Sequence, residues 1–481
     1  MKEFTAQQIA DIVGGELYGI DPQTTLSAGV ETDSREISTG DIFVARRGET
    51  TNGIEFAPSA IAAGAALVIA EAVPTVGDDT LPSCVVTDAT VALGKLASAS
   101  VEALRESMTI IAITGSSGKT SVKDLVSVLL AGEGETVYPP NSYNNEVGVP
   151  LTALQAGEST RFLVLEMGAR SIGNLAYLTS LIRPDIAVEL NVGAAHSGVF
   201  GSIDNTARAK AELVESLQEP GWAVLNADDP RVRDMQNVLA QGVNTMWFSE
   251  GEPTNPDSTV WASDVTTGAT GRSSFVLHLP GEEPAQVELS LLGQHHVSNA
   301  LAAATVAHLC GVTARSIVTT LATAGAASRW RMELVDSPNG VTVINDAYNA
   351  NPDSMRAALK TLAEMGRGDD ENPPRRTVAV LGEMLELGDA SVEEHDKIGS
   401  LVVRLNISRT IAVGEGARPI YQAANLEGSW GNEATWVENV SDARDLLQSE
   451  LKPGDLVLFK SSRDAGLRFL GDEIAGVSGA Q

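Results

Sequence analysis

Residues 114–120 read Thr-Gly-Ser-Ser-Gly-Lys-Thr, and these residue types at this spacing can hold a phosphate group. Glycines let a loop turn its backbone N–H groups toward an anion, and a following helix adds partial positive charge at its N-terminus. Lys119 can reach the outer phosphates of a nucleotide, and the Thr120 hydroxyl can bind Mg²⁺. An ordinary Gly/Ser turn with a solvated lysine is the alternative. We predict an ATP-binding loop that consists of Gly115, Ser116, Ser117, Gly118, Lys119 and Thr120.

The elements on either side of this loop are those that a phosphate-binding motif requires. Residues 109–113 form a short β-branched run typical of a strand, and the apolar positions after Thr120 recur at helical spacing. The pattern therefore predicts a strand, a loop and a helix. The usual motif would place a glycine at position 113, where this chain has Ile113, so the loop is a variant.

Three further residues could complete a nucleotide site. Glu166 follows the apolar run 162–165, and a carboxylate at the end of a strand suits Mg²⁺, although it could equally cap the next helix. His196 lies in a loop of small residues, where it could bind a ligand or bond to the backbone. Lys210 lies on a predicted helix, where a solvated lysine is the default interpretation.

A second group of polar residues lies in the last third of the chain. Asp346 and Tyr348 belong to the run 345–352, which follows a predicted strand and precedes a helix that Pro352 helps to start. So many hydrogen-bonding side chains in one loop indicate ligand contact. Asx-rich turns are common, however, and an ordinary turn is an equal alternative.

Composition limits the class of protein. The chain has 481 residues, 43% of them apolar, which is enough for two to four domains with their own cores. Its net charge of −30 argues against nucleic acid or an anionic membrane as the main partner. Cys84 and Cys310 lie far apart in apolar settings, so we expect buried free thiols rather than a disulfide. With no signal-peptide core and no long apolar run, we predict a cytoplasmic protein.

The order of strand-like and helix-like segments predicts an α/β protein of three domains. Residues 1–87 form a small α/β domain, and residues 88–325 form a central domain with a mostly parallel sheet around the phosphate loop. Within it, residues 275–279 and 287–291 are expected to pair antiparallel. Residues 326–481 show a second alternating series, which predicts a Rossmann-like domain.

Taken in chain order, several segments resemble the Mur ligase family of peptidoglycan synthesis. The segments that carry the resemblance are residues 32–35, 40–45, 114–120, 144–150, 166–168, 196, 209–210, 293–300, 331–333 and 346–352. Three features resemble the member that adds D-alanyl-D-alanine: Asn144-Asn145 before Gly148, residues 348–352 and residues 382–388. The sibling that adds the third residue usually carries an Asp-Asn-Pro-Arg motif, and this chain has none.

The resemblance implies an enzyme. Its first domain would bind the UDP-linked substrate, and the enzyme would join D-alanyl-D-alanine to UDP-N-acetylmuramoyl-tripeptide with ATP, through an acyl phosphate. The implied partners are these two substrates, with no nucleic acid and no membrane insertion, and the implied state is a monomer. Three alternatives stay open: a sibling ligase that adds another amino acid, a folylpolyglutamate-type ligase, and an ATP-driven switch that forms no bond.

The resemblance also implies roles for particular residues at the ATP centre. Lys119, His196 and Lys210 would be catalytic, and carbamylation of Lys210 would turn its amine into a carboxylate-like group. Asn299 would contact the adenine end of ATP, while Arg331 and Asp346 would reach its phosphate and ribose. The implied ligands of Mg²⁺ are Thr120, Glu166, His196 and Lys210.

The contacts with the other substrates follow from the same resemblance. Ser34 would touch the UDP-linked substrate, and Asn144 and Asn145 would also bind substrate. Lys460 and Arg463 follow the last predicted strand and resemble a family segment near the peptide substrate. There they could meet a carboxylate, but a solvated surface pair is the favoured interpretation.

Overall fold

The computed structural model describes residues 1–48, 51–193, 200–428 and 433–477. Within these ranges the strands form three larger sheets and two small two-stranded ones. Each larger sheet is built from one continuous part of the chain, and the boundaries predicted near residues 87 and 325 fall between the sheets. The exact domain limits stay a prediction.

The first sheet has the strand order β2-β9-β6-β5-β4 in the described residues. The strands of this region are β1 (Phe4–Thr5), β2 (Glu16–Tyr18), β3 (Thr25–Leu26), β4 (Val30–Glu31), β5 (Ile42–Val44), β6 (Leu67–Ala70), β7 (Thr75–Val76), β8 (Asp79–Thr80) and β9 (Ser83–Val85). Its helices are α1 (Ala6–Val13) and α2 (Ala57–Ala63). The long helix α3 (Ala89–Leu104) shares one apolar core with α1 and with the central region, so it joins the two.

The second sheet has the order β11-β12-β10-β13-β14-β15-β16-β17-β18. Its strands are β10 (Thr109–Thr114), β11 (Glu135–Val137), β12 (Thr160–Glu166), β13 (Ile186–Glu189), β14 (Trp222–Asn226), β15 (Asn244–Ser249), β16 (Thr259–Thr267), β17 (Arg272–His278) and β18 (Ala285–Leu292). The pairs from β11 to β16 are parallel, whereas β16, β17 and β18 pair antiparallel. The predicted antiparallel pair is therefore confirmed.

Helices cover both faces of this sheet because the parallel strands are apolar on both sides. They are α4 (Lys119–Ala131), α5 (Gly148–Ala153), α6 (Asn174–Leu181), α7 (Ile203–Glu215), α8 (Pro230–Asp234), α9 (His295–Leu309) and α10 (Ala314–Thr323). Ile111, Ile113 and Val164 share a core with α4 and α9. Ala112, Leu165 and Ala187 lie in the core that includes the apolar side of α7. The phosphate-loop helix α4 and the helix α7 that carries Lys210 therefore pack on opposite faces of the sheet.

The third sheet has the order β19-β20-β24-β21-β22-β23, and all its pairs except β19 with β20 are parallel. Its strands are β19 (Glu333–Asp336), β20 (Thr342–Asn345), β21 (Thr377–Leu381), β22 (Arg409–Val413), β23 (Ala434–Val437) and β24 (Leu456–Lys460). Helices α11 (Pro352–Arg367), α12 (Ser391–Arg404), α13 (Arg418–Glu427), α14 (Val440–Glu450) and α15 (Leu467–Ala475) follow the strands. Separate apolar cores lie on its two faces, as a Rossmann-like layer arrangement requires.

Two composition-based expectations can be compared with the described residues. Both cysteines are free; Cys84 is buried as expected, whereas Cys310 is only half-buried. Within the described part of the chain, no helix combines the length and the apolar character needed to cross a membrane.

Candidate active site

A cleft of about 720 Å³ lies between the second and third sheets. Most of the residues predicted for ATP and Mg²⁺ line it from both sides. They are Ser116, Ser117, Gly118, Lys119, Thr120, Glu166, Lys210 and Asn299 from the central region, and Arg331 and Asp346 from the C-terminal region. The predicted substrate residue Ser34 is half-buried in the N-terminal region and does not line this cleft. His196 lies outside the described residues.

The phosphate loop connects β10 to α4, as the sequence pattern predicts. Gly118 has φ = +83°, in the left-handed region, and a β-carbon there would lie 2.5 Å from Oδ1 of Asn299. Only glycine suits this position. Asn191, which the sequence analysis missed, holds the other side of the loop: its Oδ1 accepts from Ser117 N at 2.9 Å, and its carbonyl accepts from Ser116 N at 3.0 Å. The loop is therefore fixed before any ligand binds.

Lys119 folds back onto its own loop. Its Nζ donates to the Gly115 carbonyl at 2.7 Å. Desolvation in the cleft lowers the pKa of Lys119, and neighbouring Glu166 opposes that shift. To contact a phosphate, the amine must exchange this carbonyl for the ligand, which is a charge-assisted and therefore stronger bond.

Glu166 ends β12 and is almost completely buried at the loop. Its Oε2 accepts from Thr120 Oγ1 at 2.8 Å, while its Oε1 accepts from Ser142 Oγ at 2.5 Å and from Asn144 Nδ2 at 2.8 Å. The first N–H groups near α6 contact Glu212 instead, at Gly173 N and Ala176 N. Glu166 therefore does not cap that helix, and its carboxylate is held in the cleft.

The donor set at this point fits a hard divalent cation. Mg²⁺ prefers oxygen ligands, and the Thr120 hydroxyl and Glu166 carboxylate are already within one hydrogen bond of each other. The described residues contain no group of three or more His, Cys, Asp or Glu side chains arranged to hold a metal. Of the four predicted ligands, Glu166 is a carboxylate, Thr120 is a hydroxyl, Lys210 is an amine and His196 lies outside the described residues. The fit to Mg²⁺ therefore rests on the oxygen atoms of Thr120 and Glu166.

Lys210 lies on α7 and is 3% exposed, so the interpretation as a solvated surface lysine is wrong. It lines the cleft. Burial lowers the pKa of Lys210 to about 7, with a further lowering by Lys119 and an opposing effect of Glu189. A buried amine with a depressed pKa is partly neutral at physiological pH, and this makes it available as a nucleophile.

Glu189, the last residue of β13, is a second buried carboxylate that the sequence analysis missed. Neither of its oxygens has a hydrogen-bond partner among the described residues. Burial raises the pKa of Glu189 to about 8, while Lys210 and Lys119 act in the opposite direction. The available signal was a glutamate inside the apolar strand 186–190, since acidic side chains are rarely fully buried unless paired.

The two predicted substrate residues Asn144 and Asn145 line the cleft but also have structural contacts. Asn144 holds Glu166, as described above. Asn145 Oδ1 accepts from Val147 N at 3.3 Å and from Gly148 N at 2.9 Å, which orders the turn that precedes α5. Their contact with substrate stays a prediction.

Arg331 enters the cleft from a strained turn in the C-terminal region. Its neighbours Trp330 and Met332 have φ = +59° and +52°, which costs about 1–3 kcal/mol for each non-glycine residue. Met332 N donates to Asp346 Oδ1 at 3.2 Å, and Tyr348 N donates to the Trp330 carbonyl at 3.2 Å, so Asp346 and its loop hold the turn. The Arg331 guanidinium lies 4.6 Å from the centre of the Tyr348 ring.

The interpretation of Lys460 as a solvated surface residue is wrong. It is 1% exposed rather than at the surface, and its Nζ donates to Asp346 Oδ2 at 2.5 Å and to the carbonyls of Asp346 and Asn349 at 3.3 and 3.2 Å. Three acceptors compensate the buried ammonium. Lys460 therefore fixes the Asp346 loop, whereas Arg463 is exposed at the edge of the cleft as expected.

The C-terminal region touches the phosphate loop directly. Asn351 Nδ2 donates to the Ser116 carbonyl at 3.3 Å, and Arg170 forms an ion pair with Glu386 at 3.8 Å. A β-carbon on Gly193 would lie 2.2 Å from Oδ2 of Asp353, so the backbone there approaches α11 closely. The structure is thus a closed arrangement in which both regions complete one site.

Comparison with known proteins agrees with this architecture. Three family models match: "Mur ligase family, catalytic domain" at residues 27–102, "Mur ligase middle domain" at 113–307, and "Mur ligase, glutamate ligase domain" at 330–463. A curated protein of Mycobacterium leprae (strain TN), named UDP-N-acetylmuramoyl-tripeptide--D-alanyl-D-alanine ligase, is 42% identical over 513 aligned residues. That alignment covers 99% of each chain.

Solved structures give the same result. Crystal structure I of MurF from Acinetobacter baumannii matches with a TM-score of 0.85 at 30% identity, over 99% of each chain. The MurF ligase from Thermotoga maritima in complex with ADP matches with a TM-score of 0.77 at 27% identity, over 94% of this chain and 98% of that one. The predicted three-domain α/β fold is confirmed. The chain belongs to the Mur ligase family.

Proposed function

We propose that the chain is an ATP-dependent ligase that joins D-alanyl-D-alanine to UDP-N-acetylmuramoyl-tripeptide in peptidoglycan synthesis and releases ADP and phosphate. The observation that best supports this proposal is the cleft, which is lined by the phosphate loop, Glu166 and Arg331. The 42% identity to a ligase of that name supports the choice of substrates, and the ADP complex of the T. maritima relative supports ATP as the nucleotide.

The chemistry explains why such an enzyme needs ATP. A free carboxylate does not condense with an amine in water, because hydroxide is a poor leaving group. The terminal carboxylate of the tripeptide attacks the γ-phosphorus, the bond to ADP breaks, and an acyl phosphate forms. The amine of D-alanyl-D-alanine then attacks the carbonyl carbon, and the tetrahedral intermediate loses a proton and expels phosphate.

Positioning and charge neutralisation are the tasks of this chain's residues in the first step. Lys119 would leave the Gly115 carbonyl and contact the transferring phosphoryl group. Arg331 would approach it from the opposite side of the cleft, since its Nε is buried without a partner among the described residues. Because the two cations come from different domains, closure brings them to the same phosphate.

Magnesium would be held by Thr120 and Glu166, with His196 and a carbamylated Lys210 at a second position. When bound, Mg²⁺ offsets the negative charge that builds up on the phosphoryl oxygens. Lys210 fits this role because it is buried at the cleft and has no bulk water to solvate its ammonium. The proposal also includes a monomeric, cytoplasmic enzyme, which light scattering and cell fractionation would test.

A substrate-omission experiment tests the proposed activity. Phosphate release from ATP should require both UDP-N-acetylmuramoyl-tripeptide and D-alanyl-D-alanine, and mass spectrometry should find the ligated product. Full replacement of the dipeptide by a single amino acid would favour a sibling ligase, and use of a folate substrate would favour a folylpolyglutamate-type enzyme. ATP turnover without any ligated product would favour a conformational switch. Lysine and diaminopimelate forms of the tripeptide should be compared, because the third residue is open.

A further inference from the structure

The segment that connects the central and C-terminal regions, residues 324–332, has anchors in both of them. At its start, Ser290 Oγ donates to the Ala324 carbonyl. Further on, Ser328 is buried, and its backbone N–H donates to Asp124 Oδ2 at 3.2 Å. Asp124 lies on α4, the helix that follows the phosphate loop. The first part of the segment is therefore held by the central region.

The next residues are held by the C-terminal region instead. Arg329 Nη2 donates to Asp472 Oδ1 at 3.0 Å, and Trp330 Nε1 donates to Asp472 Oδ2 at 2.9 Å. Asp472 lies on α15 and also accepts from Asn345 Nδ2 at 3.0 Å, so it belongs to the body of that region. The two anchors are thus on adjacent residues, and the change from one region to the other occurs between Ser328 and Arg329.

The carboxylate of Asp124 is itself held in place. It is buried, and its Oδ1 pairs with the Nζ of Lys123, a completely buried lysine. Lys123 Nζ also donates to the Pro139 carbonyl at 2.8 Å and lies 5.6 Å from the centre of the Tyr138 ring. One oxygen of Asp124 therefore contacts a fixed cation of the central region, and the other contacts the connecting segment.

Asp124 and Ser328 lie close, along the chain, to residues of the proposed ATP centre. Asp124 follows Thr120 by one turn of α4, about 6 Å along the helix axis, so the two side chains are neighbours on one face of the helix. Arg331 follows Ser328 in the connecting segment, after at most about 11 Å of chain. The hydrogen bond between Asp124 and Ser328 therefore limits the distance between the phosphate loop and Arg331.

Arg331 is attached stiffly to the C-terminal region. Trp330 and Met332, on either side of it, have φ values of +59° and +52°, a conformation that non-glycine residues rarely adopt. The Trp330 ring stacks with the ring of Tyr348 at 6.4 Å between centres. Arg331 therefore moves with the C-terminal region as one body, and the anchor at Ser328 determines where that body lies relative to the phosphate loop.

We propose that Asp124 is a positioning residue of the reaction: by holding the backbone N–H of Ser328, it fixes the position of Arg331 relative to the phosphate loop. This inference rests on the proposed function, because it takes the contact of Arg331 with the transferring phosphoryl group from it. Asp124 does not line the cleft, so it acts through the connecting segment and touches neither the substrates nor the nucleotide.

The direct test is a double-mutant cycle between Asp124 and Arg331, measured as phosphate release from ATP with both substrates present. Asp124→Ala removes the acceptor and should lower kcat by up to about 10²-fold, the cost of a displacement of about 1 Å at a reacting group. Asp124→Asn keeps an acceptor oxygen for Ser328 N and should retain most of the rate. In an Arg331→Ala background, Asp124→Ala should cause little further loss, because the residue that it positions is gone.

Asp455→Ala is the matched control. Asp455 is also a buried aspartate that accepts from a backbone N–H and from a cation, Lys452 N at 2.9 Å and Arg376 Nη1 at 3.0 Å. Both of these partners lie in the C-terminal region, so this aspartate does not connect two regions. Any loss of rate in Asp455→Ala should be the same with and without Arg331, which separates a general loss of stability from the coupling expected for Asp124.

Hydrogen exchange gives a second readout that does not depend on catalysis. In the ligand-free protein, mass spectrometry should find faster exchange of residues 324–332 in Asp124→Ala than in the wild type, because the Ser328 N–H loses its acceptor. Asp124→Asn and Asp455→Ala should leave this exchange unchanged. The affinity for ADP, measured by calorimetry, should stay close to the wild-type value in Asp124→Ala, since ADP lacks the phosphoryl group that Arg331 contacts.

Two results would overturn the inference while leaving the proposed ligase activity intact. One is an equal loss of rate from Asp124→Ala with and without Arg331, and the other is unchanged exchange of residues 324–332 in that variant. A wild type that forms no ligated product would overturn the proposed function and the inference together. If Asp124→Ala does not fold because Lys123 stays buried without its partner, Lys123→Met combined with Asp124→Leu removes both charges and replaces it in the same cycle.

Discussion

Two buried carboxylates, at the ends of the two strands that flank β10, differ in their hydrogen-bond partners. Glu166 ends β12, and Thr120, Ser142 and Asn144 donate hydrogen bonds to it. Glu189 ends β13, on the other side of β10, and none of the described residues donates to it. Both are buried at the same edge of the same sheet. The difference is therefore in their partners and not in their depth.

The hydrogen bonds make the surroundings of Glu166 preorganised, whereas the surroundings of Glu189 lack hydrogen-bond donors among the described residues. A carboxylate that is already held by three donors binds a cation without further ordering, which favours rapid and geometrically defined binding. A carboxylate without donors gains its partner only when something arrives. The Glu166 side of the cleft is thus already ordered at the position proposed for Mg²⁺, whereas Glu189 has no hydrogen-bond partner among the described residues.

The largest expected effect is on the preorganised side. Glu166→Gln removes the charge that would face the cation and should lower the rate of phosphate release by about 10²–10³-fold, the usual cost of losing one electrostatic contact at a reacting centre. Glu189→Gln should lower the rate less, because Glu189 is not among the residues proposed to hold Mg²⁺ or phosphate. The measurement is steady-state phosphate release at saturating substrates.

Glu135→Gln is the control for this comparison, because Glu135 is an exposed carboxylate on the adjacent strand β11. It should retain wild-type activity. An equal loss in Glu166→Gln and Glu189→Gln would show that the distinction between the two carboxylates does not matter for the chemistry.

A smaller effect should follow from removing one donor that holds Glu166. Ser142→Ala leaves Oε1 with Asn144 alone, and the loss of such an outer partner typically costs about 10–100-fold in metal affinity or activity. The concentration of Mg²⁺ needed for half-maximal activity should rise accordingly. Ser159→Ala, which deletes a hydroxyl that donates to the exposed Glu135, is the matched control. An unchanged Mg²⁺ dependence in Ser142→Ala would contradict preorganisation.

The smallest expected effect is on the free energy of unfolding. Its pH dependence compares His395, a buried group with hydrogen-bond partners, with Glu189, which has none among the described residues. His395 is buried: its Nε2 accepts from Met384 N at 2.9 Å, and its Nδ1 faces the Ser391 carbonyl. Burial lowers the pKa of His395, so the unfolded chain binds a proton that the folded protein refuses. Stability should therefore fall as pH drops below about 6.5, by at most about 1.4 kcal/mol per pH unit for this group.

Glu189 should act with the opposite sign. Its pKa is raised from 4.5 to about 8 by burial, so the folded state holds a proton that the unfolded state releases, and stability is lost as pH rises through this range. Chemical denaturation between pH 5 and 8 should show His395→Gln flattening the acid side of the profile and Glu189→Gln the alkaline side. Identical profiles for both variants would contradict this assignment.

The sequence predicts the parts of the molecule that depend on local pattern. Thr114 to Thr120 form a phosphate loop because the required glycines, lysine and flanking strand and helix are contiguous. The edge strands β19 and β23 are short and half-exposed, so their apolar pattern is weak and the sequence does not predict them. Local pattern thus predicts the loop and the strands on either side of β10, but not every strand of the sheets.

The burial and the partners of residues that contact distant parts of the chain could not be predicted from local sequence. Lys460 and Glu189 are both charged residues at the end of an apolar strand, yet Lys460 meets three acceptors and Glu189 meets no donor among the described residues. Nothing within a few residues of either distinguishes them. Lys210 was assigned to solvent by the same default, because a helical segment does not reveal which of its faces another element covers.

The central claim is that this cleft uses ATP to activate a carboxylate. The most direct measurement uses UDP-N-acetylmuramoyl-tripeptide labelled with ¹⁸O in its terminal carboxylate, together with ATP and D-alanyl-D-alanine. If an acyl phosphate forms, one ¹⁸O should appear in the released phosphate, and mass spectrometry should find the ligated product with one label fewer. Unlabelled phosphate, released while the tripeptide keeps both labels, would contradict the account.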